Sequence, residues 1–263
     1  MSKNFELLQQ VELHNGTAPV LTQRAPAQTQ TGPPPARVGV GNGNGHVHAA
    51  GLNLDGVTHE EILRLVQGIF LTTSSTRSRV VTFAAIDSGN GCSHVCAQAA
   101  EVLASSVAGS VCLVDANLRT PSLPEFFGVS NHHGLTDSLR NRGAIREFAK
   151  KLHLQNLWLL SCGSLATDSS ALLNSELMSA RIAELRSEFD YVLVDVPPLN
   201  SYSDGLVLAH LSDGLVMVLE ANATRREAAL RVAENLRAKQ VRVLGAVLNK
   251  RTFPIPDSLY HRV

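Results

Sequence analysis

The stretch Ala84-Ala85-Ile86-Asp87-Ser88-Gly89-Asn90-Gly91-Cys92-Ser93 constrains this chain more than any other. An apolar, β-branched run, Val80-Val81-Thr82-Phe83, precedes it. Val95, Ala99, Val102 and Leu103 follow it at helical spacing. A strand, a glycine-bearing turn and a helix in that order make a cradle for phosphate. Glycines let the backbone approach the anion, and the first helical amides point at it. Such a loop ordinarily ends in Gly-Lys-Ser/Thr. Here it ends in Gly91-Cys92-Ser93. The amide nest and the hydroxyl are present, and a thiol stands in the lysine's place.

The rest of the chain repeats the strand–helix alternation. Strands are predicted at about Arg79 to Ile86, at Val111–Val114, Leu157–Leu160, Tyr191–Val194, Gly214–Leu219 and Val243–Leu248. Short helices are predicted at Leu135–Arg140 and Ala144–Lys151. A longer one follows at Ser175–Phe189. Another is capped at Thr224 and buries Ala229, Val232, Ala233 and Leu236. This alternation implies an α/β domain of three layers, a mainly parallel sheet between helices. Thr58-His59-Glu60-Glu61 fits a capping box opening a helix with Ile62, Leu65 and Val66 on one stripe.

The segment before that helix is of another kind. A short amphipathic helix is expected at residues 5–14. From Gly16 to Gly51 the chain is rich in Gln, Thr, Pro, Gly and Asn, and buries too little apolar surface to order itself. The division is therefore a tail and disordered tether over 1–53 and a folded domain over 54–263. His46 and His48 read as hydrated tail histidines.

Lys and Arg number 23, as do Asp and Glu. That neutral balance argues against a nucleic-acid partner. Cys92, Cys96, Cys112 and Cys162 sit in apolar or helical surroundings without CxxC spacing, as small core residues of a reducing compartment do. No apolar run reaches membrane-spanning length, and the N-terminus lacks a signal-peptide core. The expectation is a cytoplasmic protein.

In an open parallel sheet, ligands bind beyond the carboxyl ends of the strands. Asp115, Asp195 and Asn249 each follow an apolar run, as the cradle does. One carboxylate at a strand end is often a helix cap. Two beside a glycine loop suit Mg²⁺ held against nucleotide phosphates, with Ser93 supplying a hydroxyl ligand.

Leu113-Val114-Asp115-Ala116-Asn117-Leu118-Arg119-Thr120-Pro121, Phe189-Asp190-Tyr191-Val192-Leu193-Val194-Asp195-Val196-Pro197-Pro198 and Glu61-Ile62-Leu63-Arg64-Leu65-Val66-Gln67 carry a family likeness. They resemble the second acidic motif, the third motif and the oligomerisation helix of the bacterial tyrosine autokinases of capsule and exopolysaccharide synthesis. That resemblance implies a P-loop fold like that of partitioning ATPases, and an ATP/ADP site with Mg²⁺. Gly89, Asn90, Gly91, Cys92 and Ser93 would hold phosphates, and Asn249 would lie near the adenine. Ser93, Asp115 and Asp195 would serve the metal, and Asp115 the acceptor hydroxyl as catalytic residue. It further implies self-association through Glu61 and Arg64, and work with a membrane chain-length regulator or an active paralogue that recruits the chain to the inner membrane face.

The departures fall on the enzymatic parts. Cys92 replaces lysine, Asn117 the second aspartate of its motif, and Gln67 the last arginine of the helix. Tyr260 alone stands where the family clusters tyrosines. The expectation is a regulatory relative of the autokinases with weak or lost kinase activity. An active kinase with a relocated cation, from Arg119, Lys250 or an arginine of a neighbouring subunit, and a positioning ATPase of the same fold are the alternatives. Plainer readings stand beside these. Glu61 completes a capping box, Arg64 belongs to a solvated face, His132 and His133 hydrate a loop, and Cys92 and Cys96 pack a helix.

Overall fold

A computed structural model describes residues 20–24, 56–71, 79–164, 172–173 and 175–251, with 20–24 and 56–58 described by their backbone alone. In chain order the elements are β1 (Val20–Arg24), α1 (Gly56–Phe70), β2 (Val80–Ala85), α2 (Cys92–Ser106) and β3 (Val111–Asp115). Short helices α3 (Leu123–Phe126), α4 (Leu135–Arg140) and α5 (Ile145–Phe148) lead to β4 (Lys150–Lys151) and β5 (Leu157–Leu160). Then come α6 (Glu176–Glu188), β6 (Tyr191–Val196), α7 (Asp204–Leu211), β7 (Gly214–Glu220), α8 (Arg226–Ala238) and β8 (Val243–Arg251).

The strands join in one sheet in the order β1-β8-β7-β2-β6-β3-β5-β4. All neighbours run parallel except the terminal pair β4 and β5. The centre reads as apolar runs because both faces are covered. Every residue of β2, β3 and β6 is buried. Alternate residues divide between two cores. Val80, Ala84, Val192 and Val194 face the side of α6, α7 and α8. Val81, Phe83, Leu113 and Leu193 face α1 and α2.

Helix α2 is buried almost all round, and its small residues Ala97, Ala99, Ala100 and Ala104 let it lie close between the sheet and α1. The stripe Ile62, Leu65, Val66, Ile69 and Phe70 of α1 seals it from outside. Truncating such a residue, Leu65→Ala for example, typically costs about 2–5 kcal/mol. The side chain of Asn156 donates to the carbonyls of Ala104, Val107 and Gly109, ending α2. All four cysteines are buried and unbridged.

Several local expectations need correction. Val20–Arg24, within the segment read as a tether, pairs parallel with β8, Val20 opposite Ala246. The β8 edge offers a free row of backbone groups, and a Val-Leu-Thr run suits it. Residues 1–19, 25–55 and 252–263 lie outside the described residues, so the expectations for 5–14, the remaining tether, His46, His48 and Tyr260 do too. Helix α1 starts at Gly56, which places Thr58 inside it rather than at its cap. Thr224 does not cap α8. Arg225 holds that position, and the Thr224 hydroxyl accepts from the Glu220 amide, closing the turn after β7. The helix expected over Ala144–Lys151 stops at Phe148, where the chain turns into β4. Asn249 lies within β8, not beyond it.

Candidate functional site

The loop between β2 and α2 owes its shape to two glycines. Gly89 and Gly91 both have φ near +80°, a conformation other residues adopt only with strain. Gly91 immediately precedes α2, and a Cβ there would run into the Asn249 side-chain amide. Side chains lock the loop from behind. The Asp87 amide donates to Asn90 Oδ1 at 2.9 Å, and Asn249 Nδ2 to the Asn90 carbonyl at 2.8 Å. Lys250 Nζ donates to the Gly89 carbonyl at 2.6 Å and pairs with Glu220 at 3.1 Å. Asn90 Nδ2 reaches the same Glu220 oxygen at 3.3 Å. In front of the loop lies a cavity of about 300 Å³. Its wall includes Gly89, Gly91, Ser93, Asn117 and Phe126 and, among the described residues, no lysine or arginine. His94 also lines it, and burial lowers its pKa, which favours the neutral ring.

The carboxylates sit deeper. Asp115 and Asp195 are opposite each other across β3 and β6, on the face covered by α2, and neither is exposed. Ser93 Oγ donates to Asp195 Oδ2 at 2.5 Å. Asp195 Oδ1 is buried and accepts no hydrogen bond of good geometry, although the Cys92 thiol lies close enough to favour the ionised acid. Asp115 accepts from the amides of Asn117 and Leu123, each at 3.2 Å. Burial raises both acids. Asp195 rises to about 6 against the Ser93 and Cys92 hydrogen bonds. Asp115 rises to about 8, the Asp195 charge adding to burial. Neighbouring carboxylates in a dry site resist holding two charges.

Cys92 opens α2. Burial pushes its thiol well above the ordinary value, and Asp195 adds to the rise. A neutral thiol there carries no charge to a phosphate. Asn117 is turned back on its own loop, donating to the Thr120 hydroxyl and accepting from the Thr120 amide, each at 3.2 Å. Arg119 pairs with Asp204 at 3.2 Å and lies 4.9 Å over the Tyr202 ring.

The structure thus brings Ser93, Asp195 and Asp115 together behind the loop. Asn249 serves the loop's own carbonyl and does not line the cavity. Glu220 and Lys250 brace the loop as a pair that no sequence motif announces. Their only sequence signal is that each ends an apolar strand. Ser93, Asp115 and Asp195 fit Mg²⁺. The donors are all hard oxygens, and Asp195 Oδ1 is a buried acceptor in want of a partner. Among the described residues no group of three or more His, Cys, Asp or Glu is placed to hold a metal ion, so a metal here would rest on the two carboxylates and the Ser93 hydroxyl. On α1, Arg64 projects into solvent 3.8 Å from Glu60, and Glu61 is half-buried. Among the described residues no helix is long and apolar enough to cross a membrane.

The profile of the ParA family, described as NUBPL iron-transfer P-loop NTPases, matches residues 77–261. Tyrosine-protein kinase YwqD of Bacillus subtilis is 30% identical over 161 residues, 61% of this chain and 68% of that one. Putative tyrosine-protein kinase CapB of Staphylococcus aureus is 27% identical over 149 residues, 57% of this chain and 65% of its own. The chain therefore spans about two thirds of these relatives. The kinase domain of Escherichia coli tyrosine kinase ETK superposes with a TM-score of 0.78, covering 98% of this chain and 99% of that domain. At 19% identity that likeness establishes the fold.

Proposed function

The chain belongs to the ParA-like P-loop NTPase family, among relatives that are bacterial tyrosine-protein kinases, and from that premise we propose that it is a regulatory member with weak or lost kinase activity. One observation carries the reading. Among the described residues no lysine or arginine lines the cavity in front of the glycine loop, and a buried, neutral thiol opens α2. Amides and a helix N-terminus still favour an anion there. A full positive charge, which stabilises the charge developing during phosphoryl transfer, is missing.

The roles follow from position. Loop amides from Gly89 to Ser93 would hold phosphate, and Asn90 and Asn249 would keep the loop in shape. Ser93, Asp195 and Asp115 would hold Mg²⁺, which when bound neutralises phosphate charge. Asp115, facing Asp195, would sit nearest an acceptor hydroxyl. The setting is capsule or exopolysaccharide synthesis or export, through contact with a membrane chain-length regulator or an active paralogue. The face of α1 bearing Glu61 and Arg64 is the surface for self-association. Light scattering on the wild type and on the Glu61→Ala, Arg64→Ala double variant tests that surface. Equal masses at all concentrations would remove it.

Lys250 favours a second reading, an active kinase with a relocated cation, because its ammonium already touches the loop at Gly89. Arg119 is engaged with Asp204 and Tyr202 instead. A titration with labelled ATP and Mg²⁺, and a phosphotyrosine immunoblot of purified protein, decide between them. Weak binding and no phosphotyrosine are expected. Robust phosphotyrosine that Lys250→Met abolishes would establish the second reading.

A further inference from the structure

A cavity larger than the one at the glycine loop lies elsewhere, on the opposite face of the sheet. It holds about 440 Å³ between α8 and the segment joining β6 to α7, a volume in the range of ligand sites. Its floor is apolar, made by Leu199, Leu206, Val232 and Leu236. One wall is a single face of α8, with Arg231, Asn235 and Lys239 four residues apart. The other wall carries Ser201, Tyr202 and Ser203.

Charge distinguishes this groove. Two cations line it and no carboxylate does. Arg231 and Lys239 are exposed, and among the described residues neither makes an ion pair or a side-chain hydrogen bond. Glu227 and Glu234 flank Arg231 along α8 but do not pair with it. A free guanidinium binds a phosphate dianion through a planar fork, and the Lys239 ammonium, about 12 Å further along the helix axis, adds a point charge to the same wall. The floor asks for something the cations do not, a flat apolar body about the size of one ring. Free phosphate would leave that floor wet. A polynucleotide needs a broad basic surface, and this chain is neutral overall.

We propose that the groove between α8 and the β6–α7 segment binds a phosphotyrosine side chain on a peptide, the ring on Leu199, Leu206 and Leu236 and the phosphate on Arg231 and Lys239. The proposal rests on the regulatory reading above, a chain that itself writes little phosphotyrosine, and adds to it that the chain reads phosphotyrosine on a partner. The groove is also placed to report. Asn200 lines it and donates to Asp87, at the start of the glycine loop, at 2.8 Å. The Leu199 and Asn200 amides donate to the carbonyls of Ala85 and Ile86, where β2 passes into the same loop.

The test is fluorescence anisotropy of the full chain with a labelled hexapeptide, five glycines and one phosphotyrosine. The unphosphorylated peptide, inorganic phosphate and phosphatidylserine vesicles serve as competitors. Saturable binding is expected, at least about tenfold weaker in the Arg231→Gln, Lys239→Gln double variant, since each charge-assisted contact accounts for about a decade. Leu206→Ala should weaken the peptide but not inorganic phosphate. Both cations are exposed, so the double variant should keep the wild-type circular dichroism. Equal binding of the unphosphorylated peptide, or unchanged affinity in the double variant, would overturn the proposal. So would competition by phosphate as strong as by the peptide, or by vesicles alone. None of these residues lines the glycine-loop cavity. If the regulatory reading fails, the ATP titration and immunoblot change while the peptide result stands. If the groove fails, the converse holds.

Discussion

The two halves of the strand-end site have diverged. Behind the loop, Ser93, Asp195 and Asp115 stand together with a buried carboxylate oxygen left without a partner. In the loop half, Asn90, Glu220, Asn249 and Lys250 consume one another's hydrogen bonds, and Lys250 points at a backbone carbonyl rather than the cavity. One half is short of a positive charge, and the other holds its cation out of reach. Side-chain bracing therefore holds the shape of this loop without a cation that faces the cavity.

Supplying the missing charge is the most direct way to break that contrast. Cys92→Lys should raise Mg·ATP affinity by one to two decades, since a charge-assisted hydrogen bond is worth about 1.5–3 kcal/mol. Calorimetry on both proteins measures it. Unchanged affinity would mean that the bracing has closed the cavity. Transfer should stay poor, because Asn117 is tied to Thr120.

The bracing itself is probed at Gly91. Gly91→Ala combines positive φ with a collision against Asn249 and should cost about 1–3 kcal/mol. Urea denaturation reads the loss, and Asn249→Gly in the same chain should recover the steric part of it.

Proton linkage sharpens the acidic half. Asp115 is raised from 3.8 to about 8 in the fold. Between those values the folded chain keeps a proton that the unfolded chain has lost, so stability falls as pH rises through the window. The slope is at most about 1.4 kcal/mol per pH unit for one group. Asp195, raised to about 6, adds to it only between roughly pH 4 and 6. The melting temperature should fall from pH 6 to pH 8 in the wild type and stay nearly level in Asp115→Asn. A level wild-type profile would mean that the pair is already ionised.

The smallest effect is expected at Lys250. Lys250→Met removes a partly exposed contact and should cost about 0.5–1 kcal/mol, or about 1–4 °C. A drop beyond that would show that the loop depends on this cation far more than on its glycines.

What could be read from the sequence follows how local each signal is. The strands that carry Asp115 and Asp195 are contiguous apolar runs with a carboxylate at or next to the last residue, so chain order alone places both acids at one sheet edge. The Glu220–Lys250–Gly89 contact depends on the register of β7 against β8, which no local pattern encodes. The position of Asn249 after an apolar run suggests a ligand role, yet its amide is spent on Asn90, a partner 159 residues away. Helix α7 follows a Pro pair and a Ser-rich turn without amphipathic spacing, and the groove it borders went unseen with it. Val20–Arg24 is a weak apolar run amid polar sequence, and the open edge of β8 decides its state.

That pairing has a consequence in time. β1 is synthesised first and its partner strand last, so a growing chain carries β1 with its backbone groups unmatched until nearly all of the sheet exists. Contacts so distant in sequence form slowly. The free edge of β8 is open meanwhile to any extended segment, including the same stretch of a neighbouring nascent chain. Crowded polysomes should therefore favour strand-exchanged pairs, and dilute refolding should favour single chains.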